Sequence, residues 1–138
     1  MINIRPINTE DLDSIVQLSH ELGYPVSTEI VEQLIREIIE DEKQWAFVAV
    51  KENTIVGFVH AFYALRLTTP PFIEIAGLVV SEKERSQGIG HQLVQYVEQH
   101  LAQDRKVRVR CNSDRHDAHR FYLQNGYHKQ KEQLVFVK

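Results

Sequence analysis

The apolar run "IEIAGLVV", the turn "RSQGIG" and the segment "HQLVQYVEQHLAQ" constrain this chain more than any other feature. The run reads as a buried strand, and Leu93, Val94, Val97 and Leu101 recur at helical spacing after the turn. "VRVRC" then alternates as a half-buried strand with Val107 and Val109 on one face. Strand, helix and strand over residues 73–111 form one crossover, which makes the two strands parallel.

The rest of the chain predicts antiparallel neighbours around that unit. "INIRP" reads as a first strand, Asn8 or Thr9 caps a helix carrying Leu12, Ile15, Val16 and Leu22, and Gly23-Tyr24-Pro25 ends it. Ser27 or Thr28 opens a second helix whose Ile30, Val31, Leu34, Ile35, Ile38 and Ile39 follow the helical period, with acidic residues outside. "WAFVAV", the short turn "KENT" and "IVGFVHAFYAL" form a hairpin, and "RLTTPP" reads as a loop before the strand "FIEIAGLVV". A helix over "SDRHDAHRFYLQNG" closes at Gly126, and "LVFVK" reads as a last strand. The expected class is mixed α/β, in the order β-α-α-β-β-β-α-β-α-β-β, with a central sheet of about six or seven strands and helices on both faces.

Bulk properties narrow the function classes. A chain of 138 residues is the size of one domain, so residues 1–138 are expected to fold as one unit. A net charge of -3 disfavours a non-specific grip on nucleic acid or an anionic membrane. No apolar run approaches the roughly 20 residues of a membrane helix, and "MINIRPINTE" lacks the plan of a signal peptide, so the expected location is cytoplasmic. The single cysteine, Cys111, has no internal disulfide partner and continues the Val107, Val109 alternation, which reads as an inert core thiol.

The glycine turn itself suits an anion. A helix's first turn presents unpaired N–H groups and the positive end of its dipole, and glycines permit close backbone approach. The donors would come from Gln87, Gly88, Ile89, Gly90 and His91, with Arg85 or Lys83 adding charge. The plainer reading is a tight turn that needs positive φ. It is neither a dinucleotide fingerprint, for want of a third glycine, nor a Walker loop, for want of the lysine.

"GLVVSEKERSQGIG" resembles the pyrophosphate loop of the GNAT superfamily of N-acetyltransferases, Arg/Gln-x-x-Gly-x-Gly/Ala after a strand. "AHRFYLQNGY" is similar to that family's second signature, through Ala118, Tyr122, Gly126 and Tyr127. The two motifs stand in the family's order, and the resemblance covers the whole element order. It implies acetyl-CoA as co-substrate. Pantetheine would pair with the backbone of Leu78, Val79 and Val80, and pyrophosphate with the loop of Arg85, Ser86, Gln87, Gly88, Ile89, Gly90 and His91. An amide near Val80 would receive the oxyanion.

Acetyl transfer to an amine needs a neutral amine, a stabilised oxyanion and a proton for the departing thiolate. Tyr122 matches the tyrosine that the resemblance makes a general acid; without the motif, "FY" reads as a core aromatic pair. Glu74 interrupts an apolar strand, where desolvation raises a carboxyl pKa toward the working pH, and is the candidate base. It alternatively binds a cationic acceptor or pairs with an arginine such as Arg66; His60 and His119 are other candidate bases. Arg115 stands where the family has an asparagine, and Asn112 is the candidate substitute for that cofactor contact.

His116 and His119 have helical spacing for metal ligands but no legible third ligand, so no metal is expected. The acceptor would be a primary amine of a small molecule or peptide, bound where the N-terminal helices, the "RLTTPP" loop and the strand splay meet. The "SDRHDAHRFYLQNGY" segment also looks similar to aminoglycoside-type members. The alternatives are an acyl-CoA-binding or sensing module without turnover, and a nucleotide-binding regulator. A homodimer joined through "QLVFVK" is a further expectation.

Overall fold

A computed structural model describes residues 1–138. Strand β1 (Ile2–Pro6) is followed by a 3-10 turn at Thr9–Asp11, then α1 (Leu12–Glu21) and α2 (Thr28–Glu40). Three long strands come next: β2 (Gln44–Lys51), β3 (Thr54–Arg66) and β4 (Thr69–Val80). Helix α3 (Ile89–Val97), strand β5 (Val107–Val109) and α4 (His116–Gln124) complete the regular elements.

The caps follow the sequence. Asn8 accepts from the Glu10 amide while Asp11 accepts from the Asn8 amide, a capping box that starts the first helical segment. Arg5 grips the same Asp11 carboxylate with two hydrogen bonds of 2.9 Å. Burial alone would push the Asp11 pKa up, but the arginine and the Asn8 amide hold it below the usual carboxylate value. Ser27 caps α2 through the Ile30 amide.

The sheet runs β1-β2-β3-β4-β5, antiparallel except for the parallel β4–β5 pair. Helices α1 and α2 cover one face, packing Ile15, Val31 and Ile35 on Val48. On the other face α3 buries Ile89, Leu93, Val94 and Val97 against Val59, Ala61, Ile73 and Ile75. Each of the Ile, Leu and Val side chains contributes about 1.5–3 kcal/mol by leaving water.

The β4 alternation changes phase once. His60 pairs with Gly77 and Ala61 with Ile75, which leaves Ala76 as an unpaired bulge. Ile73 and Ile75 therefore face α3, and after the bulge Leu78 and Val80 pack on that same core. Strand β5 pairs only with Ile73, Glu74 and Ile75, so beyond the bulge β4 continues without a neighbour on that side.

Several expectations need correction. The sheet has five strands, not six or seven, because "LVFVK" pairs with nothing. Its alternation is strand-like, but a strand exists only where its amides and carbonyls find an edge. Leu134, Val135, Phe136 and Val137 are consequently all exposed. "RLTTPP" is not a loop at the splay: β3 and β4 extend through it, and the hairpin tip lies at the opposite end of β4. Of the apolar positions in α2 only Val31 and Ile35 are buried; Ile30, Leu34 and Ile39 are exposed because nothing packs outside them. Cys111 is exposed rather than core, since β5 ends at Val109 and the chain turns outward before the alternation reaches it.

Candidate active site

The loop between β4 and α3 has the geometry of an anion cradle. Gly88 caps α3 with φ of 81°, a left-handed conformation that glycine adopts without a Cβ clash. Ser86 is also left-handed, at φ 66°. None of the amides of residues 87–91 donates to a protein acceptor, so a row of N–H groups is free at the positive end of the helix. Lys51, from β2, donates to Glu84 at 2.8 Å and to the Gln87 side chain at 3.2 Å, tying the loop to the sheet.

The two glycines do different work. A Cβ on Gly88 would meet nothing within 4 Å, whereas one on Gly90 would lie 3.0 Å from the Phe121 ring. Gly90 thus lets α4 close against α3. That contact brings the residue after Phe121, the candidate acid Tyr122, to the same corner.

A cleft of about 340 Å³ lies around His20, Gly23, Tyr24 and Pro25, at the α1–α2 connection. The one at the splay measures about 320 Å³ and is walled by Leu22, Tyr24, Leu78, Arg85 and Arg115, with Glu21 and Glu82 at its rim. Arg115 donates to the Tyr24 hydroxyl at 3.4 Å and pairs with Asp117 at 3.6 Å. Arg115, at the position where the family has an asparagine, therefore braces the α1–α2 connection. Asn112 is exposed, and its carbonyl accepts from the Arg115 amide and from His119 Nε2. His91 is tied through Nδ1 to the Asn125 side chain.

Tyr122 is half-buried, with its ring edge-on to Phe121 and Tyr127. Burial, aided by the nearby Cys111, raises its pKa well above the phenol value, so the hydroxyl stays protonated throughout the neutral range. It makes no hydrogen bond to the protein and is available to a ligand. Its carbonyl accepts from the Tyr127 amide, and the Leu123 carbonyl from Gly126, whose φ is 89°. This pair of bonds is a Schellman motif, the reason "Gly-Tyr" follows the helix. Tyr127 in turn donates to Glu98 at 2.7 Å, locking α4 to the end of α3.

Glu74 is 7% exposed and lies on the sheet face opposite Ile73 and Ile75. Its Oε1 has no hydrogen-bond partner. The charge beside it is Arg110, not Arg66: the Arg110 Nε is 3.3 Å away, within ion-pair reach but out of hydrogen-bond alignment. Arg66 instead lies over the Phe72 ring. His60 Nε2 is 2.7 Å from Gln44 Oε1, and burial lowers its pKa, favouring the neutral ring. His119 is engaged by the Asn112 carbonyl, and no group of three or more His, Cys, Asp or Glu side chains is gathered to hold a metal. Although Cys111 is exposed at the surface, partial desolvation of its sulfur by neighbouring side chains pushes the thiol up, which weakens it as a nucleophile.

Arg108 and Arg110 carry one sequence signal, their alternation, which gives their face but not which of them meets Glu74. In "VRVRC" they occupy the alternate positions to Val107 and Val109, and so share the Glu74 face.

Residues 10–127 match the family described as Acetyltransferase (GNAT) family. The chain belongs to the GNAT acetyltransferases. The acetyltransferase is 32% identical to an aminoalkylphosphonate N-acetyltransferase of Salmonella typhimurium, over 90% of this chain and 83% of that one. In fold it is similar to an aminoglycoside N-acetyltransferase solved with CoA, at TM-score 0.90 and 17% identity, covering 100% of this chain and 95% of that one. An aminoglycoside antibiotic 6'-N-acetyltransferase from Acinetobacter baumannii gives TM-score 0.88 at 22% identity, covering 100% and 98%. The acetyltransferase is an acetyl-CoA-dependent N-acetyltransferase. No helix in it is long and apolar enough to cross a membrane.

Proposed function

We propose that residues 1–138 act as one N-acetyltransferase domain that acetylates a primary amine of a small molecule or peptide by direct attack in a ternary complex. The observation that carries this reading is the row of free amides at the start of α3 beside the unpaired edge of β4. Acetyl-CoA supplies the activated acyl group. Leu78, Val79 and Val80 would hold pantetheine through their backbone, and Arg85, Ser86, Gln87, Gly88, Ile89, Gly90 and His91 the pyrophosphate, with Asn112 at the margin.

Glu74 is the base. Its Oε1 accepts no hydrogen bond, although Arg110 Nε lies 3.3 Å away, and it would take the proton of the incoming ammonium directly or through water. Tyr122, kept protonated by burial, donates to the departing sulfur. The Val80 amide is the oxyanion donor. No covalent acyl-enzyme is needed, and the raised pKa of Cys111 is consistent with that.

The aminoalkylphosphonates named for the relative and the aminoglycosides named for the structural neighbours are opposite in charge but share primary amines. A small-molecule amine is therefore the favoured acceptor over a peptide. We also assign the protein to the cytoplasm and to a homodimer; the second copy would cover the exposed apolar residues of "QLVFVK" by pairing them with the open edge of β5.

The test is incubation with acetyl-CoA and a panel of amines, read by mass spectrometry, with Tyr122→Phe alongside. An acetylated amine that falls sharply with the variant is the expected result. Absence of acetyl-CoA binding would overturn the reading.

A further inference from the structure

One lysine from another element holds two acceptor side chains at the edge of the cradle. Lys51 ends β2, and the hairpin to β3 turns on Glu52 and Asn53, both left-handed at φ 50° and 64°. A two-residue turn of this hand matches the twist of its strands, which fixes the direction in which Lys51 leaves the sheet. Ala49, two residues earlier, belongs to the core that α3 covers, so Lys51 lies on the α3 side. Its Nζ donates to the Glu84 carboxylate at 2.8 Å and to Gln87 Oε1 at 3.2 Å. The start of the loop is pinned separately, by the Ser81 amide on the Val56 carbonyl at 2.8 Å.

The amides of residues 87–91, which donate to no protein acceptor, are the alternative partners of both side chains. A carboxylate is a favoured occupant of a helix N-terminus, where it accepts from the first N–H groups and meets the positive end of the dipole. Glu84 is the nearest acid in sequence before α3, and left-handed Ser86 and Gly88 turn the chain tightly between them. Set free, its carboxylate would sit where a phosphate belongs. Lys51 and Glu84 are each other's sole ion-pair partner, so nothing else restrains that acid.

We propose that Lys51 is a positioning residue for acetyl-CoA: by holding the Glu84 carboxylate and the Gln87 side-chain oxygen, it keeps the protein's own acceptors out of the pyrophosphate cradle. The inference rests on the N-acetyltransferase reading of that cradle. Lys51 acts through Glu84 and Gln87 rather than on the reacting atoms. The bridged pair is also neutral as a whole, so an arriving pyrophosphate meets no bare carboxylate.

The two ends of this ion pair should then behave oppositely. In Lys51→Gln the freed carboxylate competes as an intramolecular anion, and a cradle filled by it about nine-tenths of the time weakens acetyl-CoA binding about tenfold. In Glu84→Gln the competitor is gone, so affinity should hold or improve. The double variant should recover most of the loss, and Lys51→Arg, which can still grip the carboxylate, should stay close to the wild type. Both side chains are partly exposed, at 30% and 21%, so the substitutions leave the core intact.

The experiment measures the Kd of acetyl-CoA by calorimetry for the wild type and these four variants, and amide hydrogen exchange at residues 87–91 in each protein without ligand. Exchange should be fast in the wild type, slowed in Lys51→Gln and fast again in the double variant. Equal weakening by Lys51→Gln and Glu84→Gln would mean a plain structural brace and overturn the proposal, with the acetyltransferase intact. An unchanged Kd in Lys51→Gln, or a double variant as weak as that single one, would overturn it as well. A wild type that does not bind acetyl-CoA would remove the parent reading and this inference with it.

Discussion

Gly90 on the first turn of α3 lies against the ring of Phe121 on α4, so closely that a Cβ there would be 3.0 Å from the ring edge. The contact joins the anion cradle to the helix that carries Tyr122. Replacing Gly90 by alanine should therefore lower stability by about 1–3 kcal/mol through overpacking. It should also raise KM for acetyl-CoA by displacing α4. Gly88→Ala meets no atom but must hold a left-handed backbone, at a cost of about 1–2 kcal/mol. Urea titration of both variants with Phe121→Ala in the Gly90→Ala background separates the mechanisms: only the Gly90 defect should be relieved.

Glu74 and Tyr122 are given different roles, and their variants should separate. Glu74→Gln should lower kcat by about 10²-fold or more at neutral pH, with less loss as pH rises and free amine accumulates. Tyr122→Phe should lower kcat by a similar order without that recovery, because the missing proton is on the leaving group. Acetyl-CoA affinity by calorimetry should be nearly unchanged in both. Identical pH profiles for the two variants would contradict the assignment.

His60 should make stability sensitive to mild acid. Burial depresses its pKa in the folded state, so the unfolded chain binds a proton first as pH falls below about 6.5. Its contribution is complete above that value and is lost as pH drops toward the folded pKa. Urea midpoints measured from about pH 8 to 5 should fall with acid in the wild type and less steeply in His60→Gln. A steeper fall in the variant would reverse the sign of this argument.

The proposed homodimer rests on a tail that has four consecutive exposed apolar residues, Leu134, Val135, Phe136 and Val137, and on a sheet whose β5 edge is open. Light scattering of the full chain should give a dimer, and truncation after residue 131 a monomer that keeps the helix and strand content by circular dichroism. A monomeric full chain at about 100 μM would remove the proposal.

Much of the site was legible because its signals are local. Gly88 needs its positive φ for the turn itself, Gly126 closes a Schellman motif with its immediate neighbours, and Asn8 and Ser27 cap the helices that begin beside them. The step of the apolar residues in β4 from Ile73 and Ile75 to Leu78 and Val80 even records the bulge at Ala76. The partner of Glu74 was not legible in that way. Arg66 and Arg110 are both plausible from composition, and only the parallel register, with Arg108 opposite Glu74, aims the latter at the carboxylate.

The sequence by itself determined the order of elements up to α4, the crossover around "RSQGIG", the caps, and the place of the glycine turn before α3, since each depends on residues within a few positions of one another. Tertiary structure decided what those elements meet. It set Gly90 against Phe121 across 31 positions of chain, turned Cys111 outward by ending β5 at Val109, gathered Arg66 and Arg108 over Phe72, and left "LVFVK" without an edge. Apolar alternation states that a segment can be a strand. Whether it becomes one depends on a free row of amides and carbonyls elsewhere, which no local pattern encodes.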